Sequence, residues 1–303
     1  MPSGSPVSRR AFVAGSLAST VVWSSRQSCA ASPEVAGNKI CAFVKFLQTL
    51  SYNELADRIA ELGFHGIEAT VRAKGQIEPQ RAEEELPKLV EALRRRGLEI
   101  TVMASDVNRV DQPYTEKVLR TAASLGVKRY RMAYYRYDLS KPILPQLQEL
   151  KRVVADLVAM SRQLGLSVVY QNHAGTDIVG AAVWDLEYLL REHPVRDFAV
   201  AFDIRHATAE GGMVWPVHFC LMKPHLGVVF VKDFAWENRR AKDVPLGQGY
   251  VDARFFKMLR EMQYAGPISL HVEYLEKAGN EANLAAMKTN LKTLRSLLEG
   301  SSS

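Results

Sequence analysis

The sequence predicts a closed, all-parallel (β/α)8 barrel in a single domain, and three observations predict it. Apolar strand-like runs alternate with helical patterns eight times between Lys39 and Leu298, with no linker between them. A glycine follows helix after helix, at Gly63, Gly97, Gly126 and Gly165, where a left-handed C-cap turns the chain into the next strand. Several apolar runs end in ionisable or amide side chains, as they do at the C-terminal rim of such a barrel. The 303 residues accommodate the roughly 250 that the architecture takes. An open doubly wound sheet would want a glycine-rich phosphate loop after its first strand. Lys45-Phe-Leu-Gln-Thr-Leu50 stands there instead, without a glycine.

The elements follow in order. The first strand covers 40–46. Ser51-Tyr-Asn-Glu54 is a capping box opening a helix with Leu55, Ile59 and Leu62 on one face, and Gly63 ends it. A second strand at 66–69 carries Glu68 near its end and leads to a helix over 81–96. The third strand, 99–104, precedes a helix over 115–125. The fourth, 129–132, precedes a long helix over 143–164. The fifth, 167–170, runs into Gln171-Asn172-His173, and its helix is 184–192. The sixth, 198–202, has five apolar residues in a row, the mark of a strand buried on both faces. Asp203 follows at once, and His206 three residues on; a short helix lies near 215–222. The seventh strand, 226–232, ends in Lys232-Asp233 before a helix at 253–263. The eighth, 268–272, runs into Glu273, and a helix over 281–298 closes the chain. The expected organisation is a signal over 1–31, a linker over 32–38, the barrel over 39–299 and a tail over 300–303.

Ser8-Arg-Arg-Ala-Phe-Val13, an uncharged run over 11–23 and small residues at Ser28-Cys29-Ala30-Ala31 resemble a twin-arginine export signal. The run is too short for a bilayer core of roughly 30 Å, so no stable membrane insertion is expected once the signal is removed. The implied location is periplasmic, reached through the twin-arginine export machinery. Arg26-Gln27-Ser28 is a poor lead-in for a lipid anchor on Cys29. Three of the six net positive charges belong to this leader, at Arg9, Arg10 and Arg26. No basic stripe remains, which argues against a nucleic-acid partner. Cys41 and Cys220 read as buried free thiols, with no disulfide framework or zinc spacing.

The strand ends supply Lys45, Glu68, Asp106, Arg131 with Arg136, Gln171 with His173, Asp203 with His206, Lys232 with Asp233, and Glu273. Burying such groups is costly unless they pair or bind a polar ligand or a cation. Gln171, Asp203 and Glu273 are hard oxygen donors suited to Mn2+ or Mg2+. Such an ion would offset two carboxylates and polarise a sugar carbonyl. A rim ion pair of Asp203 with Lys232 or Arg205 is the competing reading. Glu273, His206 and Lys232 are the candidate catalytic residues. Glu68, Arg136, His173, His206 and Trp236 are the candidate substrate contacts, the aromatic ring suiting the apolar face of a sugar. His65, His193, His218, His225 and His271 read as surface or packing residues. The expected partner is a small-molecule carbohydrate, and a homo-oligomer stays open.

Six short motifs occur in a specific order and spacing. They are Glu54-Leu-Ala-Asp57, Gly63-Phe-His-Gly-Ile-Glu68, Asp203-Ile-Arg-His206, Val229-Phe-Val-Lys-Asp233, Pro245-Leu-Gly-Gln-Gly249 and His271-Val-Glu-Tyr274. Together, over about residues 40–298, they resemble the sugar phosphate isomerase/epimerase family, the xylose isomerase-like TIM barrels. The resemblance implies a divalent metal held by a glutamate after strand five, an aspartate after strand six, a histidine in strand seven and a glutamate after strand eight. It also implies that the two glutamates move the proton. Asp203 and Glu273 match that pattern, and His206 matches the histidine that meets substrate. Gln171 stands where the family has its first glutamate, and Phe230 where it has the histidine. A glutamine is no base at neutral pH, and a phenylalanine cannot ligate.

One base, Glu273, therefore remains. It would serve an isomerase or epimerase, or a keto-sugar lyase working by β-elimination. A noncatalytic sugar-binding barrel with a degenerate metal site is the reading from another class. An endonuclease-like barrel would need more strand-end histidines and a basic face. Export favours a free or oxidised sugar over a phosphorylated one.

Overall fold

A computed structural model of the chain describes residues 37–300. The expected signal, most of the linker and the last three tail residues lie outside the described residues. Eight parallel strands close on themselves: β1 (Ile40–Phe43), β2 (Gly66–Val71), β3 (Glu99–Ser105), β4 (Arg129–Arg131), β5 (Ser167–Gln171), β6 (Phe198–Asp203), β7 (Leu226–Val231) and β10 (Ile268–Leu270). Each pairs with its neighbours in sequence, and β1 with β10 completes the ring through Ile40 to Ile268. Around it lie α1 (Tyr52–Leu62), α2 (Ala82–Arg94), α3 (Thr115–Ser124), α4 (Ile143–Gln163), α5 (Trp184–Leu190), α6 (Ile204–Gly211), α7 (Trp215–Met222), α8 (Arg254–Glu261) and α9 (Gly279–Glu299). The capping box at Ser51 and Glu54 forms as the sequence predicts, and Gly63 caps α1 at φ 82°.

Two elements differ from the sequence reading. Helix α6 starts directly after β6, because the Asp203 carboxylate accepts the His206 backbone N–H at 3.0 Å and so acts as the N-cap. An antiparallel hairpin, β8 (Asp233–Glu237) with β9 (Arg240–Val244), stands between β7 and α8. Its return loop is tied to the barrel by Asp233. That carboxylate accepts the backbone N–H groups of Phe234, Gly247, Gly249 and Val251 at 2.8 to 3.0 Å. A Cβ on Gly249 would overlap the Asp233 carboxylate and the Phe234 carbonyl, so the Pro245–Gly249 motif is a fastening and its glycine is sterically required.

The period of two along each strand decides which side chains enter the lumen. Phe43 and Lys45, Gln171 and His173, Ala201 and Asp203, Phe230 and Lys232, and His271 and Glu273 are spaced by two in this way at or just past the strand ends, and Glu68 and Arg72 by four. The lower lumen is plugged by an apolar cluster of Val102, Val169, Ala199, Ala201, Val228 and Phe230. The polar members of the same rows lie one layer above it. The outward-facing residues pack against the helices in one continuous core. Cys41 is buried, and burial pushes its thiol up to about 12. Cys220 is exposed, which corrects the expectation that both thiols are buried. Among the described residues no helix is long and apolar enough to cross a membrane.

Candidate active site

The lower polar layer is centred on Glu68, which is wholly buried. Its Oε2 accepts from the Ser269 hydroxyl at 2.7 Å and lies 2.9 Å from His271 Nε2, and its Oε1 lies 3.3 Å from Arg131 Nε. His271 Nδ1 faces Glu273 Oε1 at 3.4 Å. Burial disfavours the His271 cation, but Glu68 and then Glu273 more than offset it and its pKa is raised. Each ring nitrogen faces a carboxylate oxygen, which only accepts, and so the ring links a structural carboxylate below to a rim carboxylate above. Reading His271 as a packing residue missed this. The signal was present: His271 and Glu273 are two apart just past β10, continuing the alternation of that strand.

The upper layer is organised by Lys232. Its ammonium is 2.8 Å from Glu273 Oε1 and 3.6 Å from Asp203 Oδ2. Glu273 Oε2 is 3.3 Å from Lys45 Nζ. Burial raises the Glu273 pKa, but Lys232 and His271 outweigh it and hold the carboxyl well below the usual range. The Asp203 backbone is fixed by Asn172, which accepts its N–H at 2.7 Å and donates to its carbonyl at 3.0 Å. Gln171 Nε2 donates to Asp203 Oδ2 at 2.7 Å, and its Oε1 accepts from Tyr134 at 2.5 Å and from Arg131 at 3.2 Å. An arginine can only donate, so this amide orientation is dictated by its partners.

His206 is buried beside Asp203, with Nε2 3.5 Å from Oδ2. Arg205 lies 3.1 Å from His206 Nδ1, which must then accept, leaving the proton on Nε2. Burial, followed by Lys232, keeps the ring neutral. The His173 ring lies against that of His206, tilted by 37° with centroids 4.0 Å apart, and is likewise neutral, brought down to about 4 by burial and then by Lys232. Its Nδ1 donates to the Ala174 carbonyl at 2.8 Å, so Nε2 keeps a lone pair.

These groups enclose a cavity of about 120 Å³ lined by Lys45, Arg72, Tyr134, Gln171, His173, Lys232 and Glu273, among others. Of the residues predicted from sequence, Gln171, His173, Lys232 and Glu273 line it, and Asp203 and His206 back it. Glu68 lies beneath, occupied by its own partners. Two expectations are corrected. Arg136 is exposed and paired with Asp177 at 2.5 Å, and Trp236 is half-exposed on the hairpin, edge-on to Phe234. Neither lines the cavity. Arg205 does not pair with Asp203; it reaches Asp243 of β9 at 2.9 Å.

A family model describing xylose isomerase-like TIM barrels matches residues 56–297. The chain belongs to the xylose isomerase-like TIM barrel family. Among solved structures it is similar to the 3-keto-D-glucoside 4-epimerase YcjR of E. coli, with 18% identity, TM-score 0.64, and coverage of 86% of this chain and 99% of that one. It is also similar to the D-psicose 3-epimerase of Clostridium cellulolyticum H10 with D-tagatose, with 14% identity, TM-score 0.64, and 86% and 98% coverage. A xylose isomerase-like barrel of Mycobacterium smegmatis in complex with magnesium matches with 14% identity, TM-score 0.60, and 87% and 98% coverage. At these identities the likeness establishes the fold. No curated protein matches.

The donor set of this xylose isomerase-like barrel does not fit the divalent ion expected from Gln171, Asp203 and Glu273. The Gln171 oxygen is taken by two donors, and its NH2 is turned towards Asp203. Phe230 is buried in the apolar plug, with its ring 4.7 Å from that of His271. The ammonium of Lys232 stands between the two carboxylates that a cation would join. Among the described residues no group of three His, Cys, Asp or Glu side chains is placed to hold a metal.

Proposed function

We propose that the protein is a carbohydrate isomerase- or epimerase-type enzyme that moves a proton beside a sugar carbonyl, with Glu273 as base and Lys232 as the fixed positive charge. The observation that carries the reading is the Lys232 ammonium, 2.8 Å from Glu273 on the wall of the cavity. Glu273 takes the proton from the carbon next to the carbonyl, and the C–H electron pair moves into a C=C bond. The carbonyl oxygen becomes the enediolate oxyanion, and Lys232, loosened from its pair with Glu273, stabilises it. Glu273 then returns the proton to the neighbouring carbon while the hydroxyl proton passes between the two oxygens. His173 Nε2 accepts a substrate hydroxyl on the opposite wall. Lys232 also keeps Glu273 ionised, at the expense of its basicity, and substrate must loosen that pair for the base to act.

The test is hydrogen exchange into D2O, followed by NMR, for a panel of ketoses and keto-sugars. Exchange is expected in the presence of a chelator and is expected to fall at least about a hundredfold in Glu273→Gln, the scale of a lost general base. No exchange with any sugar, or exchange indifferent to E273Q, moves the barrel to the sugar-binding reading. Export through the twin-arginine route is part of the proposal and rests on the leader sequence. Replacing Arg9 and Arg10 by lysine should leave folded protein in the cytoplasm, and unchanged fractionation would remove that element.

A further inference from the structure

Arg72 is the cation at this site that its surroundings leave unmatched. It lies just past the end of β2, on the inward-facing row of Glu68. Its backbone is held in a tight turn: its N–H donates to Ile77 at 3.0 Å and its carbonyl accepts from Gly75 at 2.9 Å. Gln76 braces that turn, taking the Thr70 N–H at 2.8 Å and donating across to the Val44 carbonyl. The guanidinium makes no hydrogen bond or ion pair among the described residues, although the residue is half-buried. Burial first, and the Arg131 charge second, press its pKa downward. Every other charged side chain on the cavity wall has an oppositely charged partner.

The placement is specific as well as unmatched. Lys45 and Arg72 line both the inner cavity of about 120 Å³ and an outer one of about 490 Å³, so the two cavities meet at this pair. The inner volume holds about four waters at roughly 30 Å³ each, room for the reacting end of a sugar and not for all of it. A sugar seated in the inner cavity would extend past Lys45 and Arg72 into the outer one. Lys74 adds a third cation to the outer wall, against the single acid Asp106, whose Oδ2 already accepts the Ala73 N–H at 2.6 Å.

We infer that Arg72, assisted by Lys45, is an anion-recognition subsite, and that the sugar acted on carries an oxyanion, a carboxylate or a phosphate, away from its reacting carbons. A planar fork of N–H donors with no internal acceptor matches two oxygens of such a group at once. The inference rests on the proposed use of the cavity for a sugar, and it names the class of that sugar.

The test is binding rather than turnover, so it is separable from the proton chemistry. Calorimetry on the full-length protein would compare D-galacturonate, D-fructose 6-phosphate and D-fructose. The first two carry the oxyanion in its carboxylate and phosphate forms, and the third has none. An anionic probe is expected to bind at least about tenfold more tightly than D-fructose. Arg72→Met should abolish that preference and Arg72→Lys should retain part of it. Since the guanidinium holds no protein group, R72M breaks no internal bond, and R72K keeps the charge if the apolar variant misfolds. The arm that binds distinguishes carboxylate from phosphate. Equal binding of all three, no binding of any, or a preference surviving R72M overturns the subsite. Loss of D2O exchange in E273Q with the anionic preference intact would uphold both readings. An absence of exchange in the wild-type chain with that preference intact would sink the base and leave the subsite standing.

Discussion

Lys232 shows how one side chain can organise a site. Two buried carboxylates about one cation repel each other unless positive charge lies between them, and here the charge is covalently attached. Removing it in Lys232→Met leaves Asp203 held by the Gln171 amide and the His206 N–H, and Glu273 by Lys45 and His271. A loss of about 3–5 kcal/mol in urea unfolding is expected, the scale of breaking a buried ion pair from one side. The same reasoning predicts what would readmit a metal. Gln171→Glu supplies a third carboxylate, Phe230→His a nitrogen donor, and K232M clears the ammonium from between them. The triple variant should bind one Mn2+ in titration and recover stability on loading, whereas wild type should show no stoichiometric site. Tight Mn2+ binding by the wild-type chain would refute the assignment of Lys232 to the ion's place.

At the scale of elements, Asp233 carries the argument. Next to Lys232, it points away from the cavity and collects four N–H groups from the hairpin and its return loop. Asp233→Ala leaves those donors unmatched in a partly buried loop, and about 2–3 kcal/mol should be lost. Hydrogen exchange should quicken over 245–251, with the barrel strands unaffected; protection unchanged in that loop would contradict the fastening role. The strands and helices were legible because each apolar run is short and alternates with a helical pattern, and the first four helices end in glycine. The hairpin was not, since Asp233–Val244 has neither a long apolar run nor clean alternation. The site was half legible for a related reason. Strand ends locate Gln171, Asp203, Lys232 and Glu273, but sequence order does not say which partner each meets across the ring. Lys232 as bridge, His271 as relay between layers and Asn172 as a clamp on Asp203 all depend on cross-strand distances. Arg136 and Trp236 lie away from the cavity because they sit beyond the barrel strand ends, where period-two reasoning no longer fixes direction.

For the whole molecule, the buried ionisable layer sets a pH optimum of stability. His173 is neutral in the fold down to about 4, whereas in the unfolded chain it protonates near 6.5. Between those values the unfolded state binds the extra proton, so stability falls as pH falls. Allowing for its partial exposure, about 2 kcal/mol is at stake. His206, depressed by the same burial, adds in the same direction. Glu68 and Glu273, both held below the ordinary carboxylate range, favour the fold above about 4.5 and surrender that contribution on further acidification. His271 acts oppositely. Its raised pKa favours the fold below 6.5, and the benefit is lost as pH rises through its folded value. The limbs meet near pH 6.5, where the melting temperature should be highest. His173→Asn keeps a donor for the Ala174 carbonyl and removes the titration, so the acid limb between pH 6.5 and 4 should flatten while the alkaline limb stays. A melting curve series in which H173N and wild type lose stability in parallel over that range would show that the imidazole is not kept neutral by the barrel.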